Sequence, residues 1–313
     1  IRKYFSKLSK FNKSSLNLND DVFFDKKKEL VISIDTYNEG VHFFNFNKPD
    51  YIIKKIIRSS ISDLICKGVN PKFYFISGSG NKKTFSPKNL SKISKSLSQE
   101  QKKYGIFLCG GDTTFSNKLS FSITSVGYSK KIIYRNRAKL NDDIYVTGNL
   151  GDSFIGLQIL RNRIKISKKA KRYFLNKYYQ PDIQINLPNK LLQFANTSID
   201  ISDGLIADLE KMINNQKLSY TLFEKDIPIS NYLLKLIKDN RLNKAKLISN
   251  GDDYQVLFTA KPSMNRIILN TSKNLGIKIT KIGKINSYSK KSGMICQKNK
   301  HLLIKYKGYK HQF

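Results

Sequence analysis

Any chemistry this chain performs has to rest on a small set of aspartates. Only 23 acidic residues stand against 57 Lys and Arg among 313, a formal net charge of +34. The acids gather in short knots beside Gly, Ser or Thr: "NDD" at 19–21, "IDT" at 34–36, "SD" at 62–63, "GGDTT" at 110–114, "IDISDG" at 199–204 and "NGDDY" at 250–254. Carboxylate oxygens suit Mg²⁺, which keeps several waters and shares its shell with substrate phosphates. Glycine lets backbone approach a phosphate closely enough for free N–H groups to donate to it. In "GGDTT", Gly110 and Gly111 give room, Asp112 gives charge and Thr113 a hydroxyl. Taken singly, each knot has a plainer reading as a helix cap or turn, and Asp142–Asp143 reads as a turn before a strand. Six knots at element ends in an acid-poor chain point jointly to a metal–phosphate site, because converging carboxylates repel unless cations lie between them.

Other signals narrow the class. No GxxxxGK[ST] stretch and no HRD–DFG set is present, so a phosphoryl-transfer enzyme of this sequence holds its nucleotide without a P-loop and relies on metals and positioning. "GNLGDS" (148–153) opens a helix whose N-terminus is suited to an anion. Cys66, Cys109 and Cys296 show no metal-ligand spacing and imply a reducing compartment. His42, His301 and His311 are too scattered for a zinc site. No apolar run approaches the ~20 residues of a membrane helix. The basic start "IRKYFSKLSK" has no apolar h-region, so no signal peptide is expected. These features together predict a cytoplasmic protein with no membrane attachment. The lysines are dispersed among Asn and Ile rather than gathered in one patch, which argues against a specific nucleic-acid partner.

The elements that must position the knots are legible in outline. Apolar spacing and turn residues predict strands over 29–37, 72–77, 119–129, 144–148, 255–260 and 277–285, with a short buried strand over 106–114. Helices are predicted over 49–68, 86–105, 151–161, 167–179 and 188–196, with Gly68 and Gly105 as stops and Ser86–Pro87 as an entry. The length allows two domains with separate cores. Polar and charged residues interrupt the periodicity near 136–142. The prediction is an α/β (α+β) chain of two units, residues 1–138 and 139–313.

The knots, in this order, resemble those of the thiamine-monophosphate kinases of the PurM-like superfamily. The matching stretches are "NDDVFF", "ISIDTYNEGVHFF", "ISDLICKGVNP", "CGGDTTFSNKLSFSITSVGY", "NRAKLNDDIYVTGNLGDSFIGLQIL", "SIDISDGLIADL", "SNGDDYQVLFT" and "YKGYKHQF", and they span nearly the whole chain. The resemblance implies a PurM-like two-domain architecture: an N-terminal mixed-sheet domain that binds ATP and metal and dimerises, and a C-terminal α/β domain. It implies ATP-dependent phosphorylation of thiamine monophosphate to thiamine diphosphate, with several Mg²⁺ ions, no protein nucleophile and a homodimer. By position, the metal ligands would be Asp21, Ser33, Ile34 through its carbonyl, Asp35, Asp63, Asp112, Asp200 and Asp203. Tyr104, Gly111, Asp112, Arg135 and Ser202 would contact ATP; His42, Asp252 and Tyr306 would surround thiamine monophosphate.

Four positions depart from the pattern. Asn19 and Asn250 stand where the family usually has Gly, Asp252 where it has Glu, and Tyr306 where it has Trp, the stronger partner for a thiazolium cation. None removes a metal carboxylate. The alternatives are a sister synthetase of the aminoimidazole-ribotide or selenophosphate type, or a basic nucleic-acid-binding protein. "VHFF" and the terminal "YKGY" favour the thiamine acceptor.

Overall fold

The computed structural model describes residues 2–240, 242–288, 293–295, 301–302 and 306–310; Cys296, His311 and the side chain of His301 lie outside them. The first half runs α1 (Arg2–Ser9), β1 (Phe23–Asp25), β2 (Leu30–Asn38), α2 (Pro49–Cys66), β3 (Pro71–Gly80), α3 (Pro87–Tyr104), β4 (Phe107–Phe115) and β5 (Ser120–Tyr128). It continues with β6 (Asp143–Thr147), α4 (Asp152–Leu160), α5 (Lys168–Tyr179), α6 (Pro188–Phe194), β7 (Thr197–Asp200), α7 (Leu205–Met212) and β8 (Leu218–Phe223). Last come α8 (Asn231–Asn240), α9 (Lys244–Ile248), β9 (Val256–Ala260), α10 (Asn265–Leu275), β10 (Ile279–Ser287), β11 (Gly293–Ile295) and β12 (His301–Leu302). The chain forms two compact units, residues 1–65 with 69–132 and residues 66–68 with 133–313. Among the described residues no helix is long and apolar enough to cross a membrane.

The first unit is a mixed sheet in the order β1-β2-β5-β3-β4. β2 and β5 pair antiparallel over their full lengths, from Leu30↔Tyr128 to Asn38↔Ser120, and β3 and β4 run parallel. The apolar stripe of α2, with Ile52, Ile53, Ile56, Ile57, Ile61 and Leu64 all buried, supplies the core opposite Val31, Phe121 and Ile123. α3 enters at Ser86–Pro87 and ends at Gly105, which is left-handed, as its sequence predicts. Arg58 of α2 joins Glu100 of α3 by two hydrogen bonds, Nε to Oε2 at 2.7 Å and Nη2 to Oε1 at 3.0 Å, with both side chains almost fully buried.

One expectation fails in this unit. The stretch 106–114 reads as a buried strand, but β4 is the outer strand of the sheet and all of its residues are exposed, Phe107, Leu108 and Phe115 included. Apolar composition alone cannot distinguish a central strand from an edge that a second surface would cover.

The second unit is a seven-stranded sheet in the order β12-β11-β8-β10-β6-β9-β7. β6 and β9 are buried at every position. Ile144, Val146, Leu205, Leu209, Leu222, Leu257 and Ile282 form its main core. Asp142 and Asp143 do mark a turn into β6, with Asn141 left-handed just before them. Asp142 is buried yet fully engaged: it accepts from the Lys139 N–H, the Asn196 amide and the Thr259 hydroxyl. Between 197 and 248 the structure holds β7, α7, β8, α8 and α9, which the apolar periodicity does not predict. β7 is only 4 residues long and α9 only 5, below the window in which a period can be recognised.

The buried Arg58–Glu100 pair yields a stability prediction. Glu100→Gln leaves a buried guanidinium half-partnered and should cost about 3 kcal/mol. The double replacement of Arg58 and Glu100 by apolar residues of similar volume should recover most of that loss. Urea denaturation of the three variants, compared by midpoint, checks both statements.

Candidate functional site

In the first unit the ladder itself gathers the predicted metal ligands. β1 pairs with β2 only from Leu30 to Ile32, with Phe23 opposite Ile32. Continuing that register carries Asp21 to the level of Ile34, just where β2 loses its partner on that side. The backbone of β2 from Ser33 onward is therefore open along this edge in the described sheet, as a carbonyl ligand from Ile34 requires. Ser33 and Asp35 point to the face that α2 covers, and the Ser33 hydroxyl donates to Asp63 of α2. Asp35 lies beside them: burial drives its pKa up to about 6, against hydrogen bonds from Tyr37 and Asp63 that pull it down. Asp35 and Asp63 thus share one small space, and burial disfavours the ionised form of Asp35. The hydroxyl of Tyr37 donates to Asp35 at 3.3 Å, and the Tyr37 ring meets His42 edge-on, with centroids 5.9 Å apart. His42 Nδ1 accepts the Asn38 N–H at 3.0 Å, so the neutral ring carries its proton on Nε2. The candidate substrate residue His42 is thus tied to the candidate metal residue Asp35 through Tyr37.

Two other residues of this unit stand apart. Asp112 is exposed on β4, paired with Ser77, while its neighbour Gly111 pairs with Ile76. The row Asp35–Ile123–Ile76–Gly111 crosses four strands, so Asp112 sits about 14 Å along the sheet from Asp35. Tyr104 closes α3 with its ring buried, the Arg58 guanidinium 5.6 Å from its centroid. Among the described residues no three Asp, Glu, His or Cys side chains converge closely enough to hold a metal.

In the second unit one loop carries most of the site. β7 ends at Asp200, which is buried, and Ile201–Gly204 leads into α7. Two distant segments hold this loop through backbone hydrogen bonds. From one side, Asp252 N–H donates to Ser202 O at 2.9 Å and Tyr254 N–H to Ile201 O at 2.8 Å. From the other, Tyr309 N–H donates to Asp203 O at 3.0 Å, and Ala207 N–H to Lys307 O at 2.9 Å. Approach is close enough that a Cβ on Gly251 would fall 1.7 Å from Ser202 O, and Gly204 has φ +126 with Ser249 O only 2.2 Å from where its Cβ would be. Asp252 and Tyr254 are themselves left-handed, at φ 70 and φ 50, a conformation that costs a non-glycine residue energy and clusters at functional sites. Ser202, Asp203, Asp252 and Tyr306 therefore share one framework, and the charge of Asp203 reaches Tyr306, whose hydroxyl is raised by burial and then by that carboxylate. Arg135 lies between Tyr134, whose carbonyl accepts the Thr197 hydroxyl of β7, and Asn136, whose N–H donates to Met212 at the end of α7.

Two features escape the sequence reading. Asp208, fully buried on α7, turns back to accept the N–H groups of Asp203 at 2.8 Å and Gly204 at 3.0 Å. Lys211 one turn later donates to Asp208 at 2.7 Å and also to Asp203. Burial works against the Lys211 ammonium, but the carboxylates of Asp208 and Asp203 outweigh it and hold its pKa above the ordinary lysine value. The signal was present as an i,i+3 Asp–Lys pair on the helix that follows the knot. The second feature is a correction: the N-terminus of α4 does not stand ready for an outside anion. Asp253 accepts the Gly151 N–H at 2.7 Å and reaches the Ser153 N–H at 3.4 Å, beside a polar cavity of about 70 Å³. The chain's own carboxylate fills that position.

A mixed sheet with Asp35 beside the open stretch of β2 and Asp112 on the opposite outer strand, together with an α/β unit bearing an Asp-x-Ser-Asp-Gly loop, defines a class. Residues 19–129 match the family described as AIR synthase related protein, N-terminal domain. Thiamine-monophosphate kinase of Buchnera aphidicola subsp. Schizaphis graminum is 34% identical over 99% of this chain and 97% of its own. That of Haemophilus influenzae is 32% identical over 91% and 88% respectively. The solved structure of AaThiL complexed with AMPPCP and TMP superposes with a TM-score of 0.82 at 25% identity, covering 99% of this chain and 98% of that one. The chain belongs to the thiamine-monophosphate kinase family.

Burial makes ionised Asp35 a source of instability. Without a cation, Asp35 is penalised when ionised, above its pKa of about 6, and the penalty lifts as pH falls toward the unfolded value. Asp35→Asn should therefore raise the stability of the metal-free protein at pH 8 by about 2 kcal/mol, allowing for partial exposure. The gain should shrink by pH 5, where Asp35 is already protonated. Thermal melts of the two proteins in EDTA at both pH values check the sign.

Proposed function

We infer that the chain transfers the γ-phosphoryl group of ATP to the phosphate of thiamine monophosphate, giving thiamine diphosphate. The relatives named above carry this activity in their names, and the neighbouring structure holds AMPPCP and TMP together. The observation that carries the reading to these residues is the loop framework of the second unit. Backbone bonds join the segment of Ser202 and Asp203 to the segment of Asp252 and to the tail next to Tyr306, so nucleotide, cation and acceptor residues move as one body.

The roles follow from side-chain chemistry. Asp21, Ser33, the Ile34 carbonyl, Asp35, Asp63 and Asp112 of the first unit, with Asp200 and Asp203 of the second, supply hard oxygen donors that fit Mg²⁺. Bound Mg²⁺ supplies neutralisation of the two phosphate groups that must approach one another. Arg135 pairs with phosphate oxygens through its planar guanidinium, and Ser202 and Gly111 contact the nucleotide. His42 offers its Nε2–H, while Asp252 and the Tyr306 ring suit the cationic thiazolium. The attacking phosphate oxygen is already ionised, so no general base is needed and no phosphoenzyme forms. Free thiols at Cys66 and Cys109 fit a cytoplasmic enzyme.

We further propose a homodimer through the first unit. β4 presents an open backbone edge, and Ile34, Phe75, Phe107, Leu108 and Phe115 are exposed large apolar residues of the same sheet. Setting β4 of one copy against the open stretch of β2 in the other closes the sheet edges and brings Asp112 to the other copy's Asp35.

Thiamine diphosphate should form only when ATP, Mg²⁺ and thiamine monophosphate are all present. Asp63→Asn and Asp112→Asn, folded normally, should each lose at least about 100-fold in turnover; wild-type rates in either would sink the reading. The shared site has its own test, a mixed dimer of Asp35→Asn with Asp112→Asn chains. If Asp112 acts across the dimer, one site of the mixed dimer is intact and about half of the wild-type turnover returns. If it acts within its own chain, both sites stay dead.

A further inference from the structure

Among the described residues, the Lys211 ammonium bonds Asp203, a candidate metal ligand of the second unit. Its ammonium sits between two carboxylates of different character. Asp208 is 0% exposed and locked by the N–H groups of Asp203 and Gly204. Asp203 is 24% exposed at the mouth of the loop, with its backbone carbonyl pinned by Tyr309. Lys211 itself is 38% exposed. The ammonium is therefore anchored from behind by Asp208 and holds Asp203 from the front.

We propose that Lys211 is a resident counter-ion that competes with the divalent cation for Asp203, so that loading the site exchanges an ammonium contact for a metal contact. The inference rests on the reading of Asp203 as a metal ligand. Two physical facts carry it. An ammonium bonded to a carboxylate takes up one of its oxygens and repels a second cation approaching the same group. The anchor on Asp208 gives the displaced ammonium a place to remain, so exchange requires only that the Lys211–Asp203 contact open. The loop keeps its shape meanwhile, because Asp208 holds it through backbone N–H groups that the exchange does not touch. Lys211 thereby sets the cation concentration at which the site fills and keeps Asp203 oriented before it does.

The test is direct titration of Mn²⁺ into the full-length protein, followed by the electron paramagnetic resonance of free Mn²⁺, with AMPPCP held constant and a nucleotide-only control subtracted. Lys211→Met should bind Mn²⁺ about tenfold more tightly than wild type at the affected site, since the competing charge is gone. Lys211→Arg, which keeps the charge and pairs with carboxylate more firmly, should bind at wild-type strength or weaker. The Mg²⁺ concentration giving half-maximal turnover should fall in Lys211→Met and not in Lys211→Arg. A merely structural role moves these readouts the other way, because loss of a structural contact loosens the loop and weakens the ion. Unchanged or weaker Mn²⁺ binding by Lys211→Met overturns the inference. Should that variant fold poorly, Lys211→Gln serves in its place, with the same outcomes. Asp203→Asn separates the two levels: if it leaves the number of bound Mn²⁺ ions unchanged, or if wild type binds none, the metal reading of Asp203 falls and the inference with it. If it loses an ion while Lys211→Met is unaltered, only the competition is wrong.

Discussion

Carboxylates that are crowded or buried must be neutralised by something, and the aspartates of this chain meet that demand in different ways. Asp142 is buried among a backbone N–H, an amide and a hydroxyl, and Asp253 accepts the first N–H groups of α4. Both are served by fixed groups of the fold and are anchors. Asp35 and Asp63 have one another, a serine and a tyrosine, and burial leaves Asp35 reluctant to ionise. Asp203 has a half-exposed lysine. A proton or a lysine side chain exchanges more readily than the fixed groups that serve Asp142 and Asp253.

The same distinction explains why the fold spends irregular backbone where it does. Regular strands bring Ser33, Asp35 and the open β2 edge to one place at little conformational cost, because a two-residue repeat puts alternate side chains on one face. The second unit cannot do this from strands alone, since its candidate site residues lie near 200, 250 and 306. It uses three irregular segments bonded backbone to backbone, with glycines at the closest approaches. Side-chain replacements around such a framework leave its backbone geometry largely untouched.

Much of this was legible in the residues. The long helices α2 and α3, with a clear apolar stripe or flanking stop signals, and the alternating β5 lie where periodicity places them. The acidic knots fall at element ends only in part: 199–204 closes β7, and 19–21 and 250–254 lie in loops before strands, but 34–36 and 110–114 lie within β2 and β4, and 62–63 lies within the helix α2. What could not be read has physical causes. Short elements such as β7 and α9 fall below a recognisable period. β4 reads as buried because its glycines and apolar residues are those of a core strand, and nothing local encodes its place at the edge. "GNLGDS" looks like an anion site because the carboxylate that fills it, Asp253, lies about a hundred residues later. Lys211 vanished among the 57 basic residues of the chain, although its spacing from Asp208 set it apart.

The left-handed backbone at Asp252 bears on which acid fits there. Asp and Asn occupy that region more readily than Glu does, because a short polar side chain can bond locally and crowds the backbone less. Here the carboxylate accepts the Tyr254 hydroxyl at 3.0 Å, two residues on, steadying a second left-handed residue. An acid one methylene shorter thus relieves the turn even as it shortens the reach toward a ligand. A longer acid at this position would have to sit on the same left-handed backbone with more crowding, so the turn itself favours the shorter one.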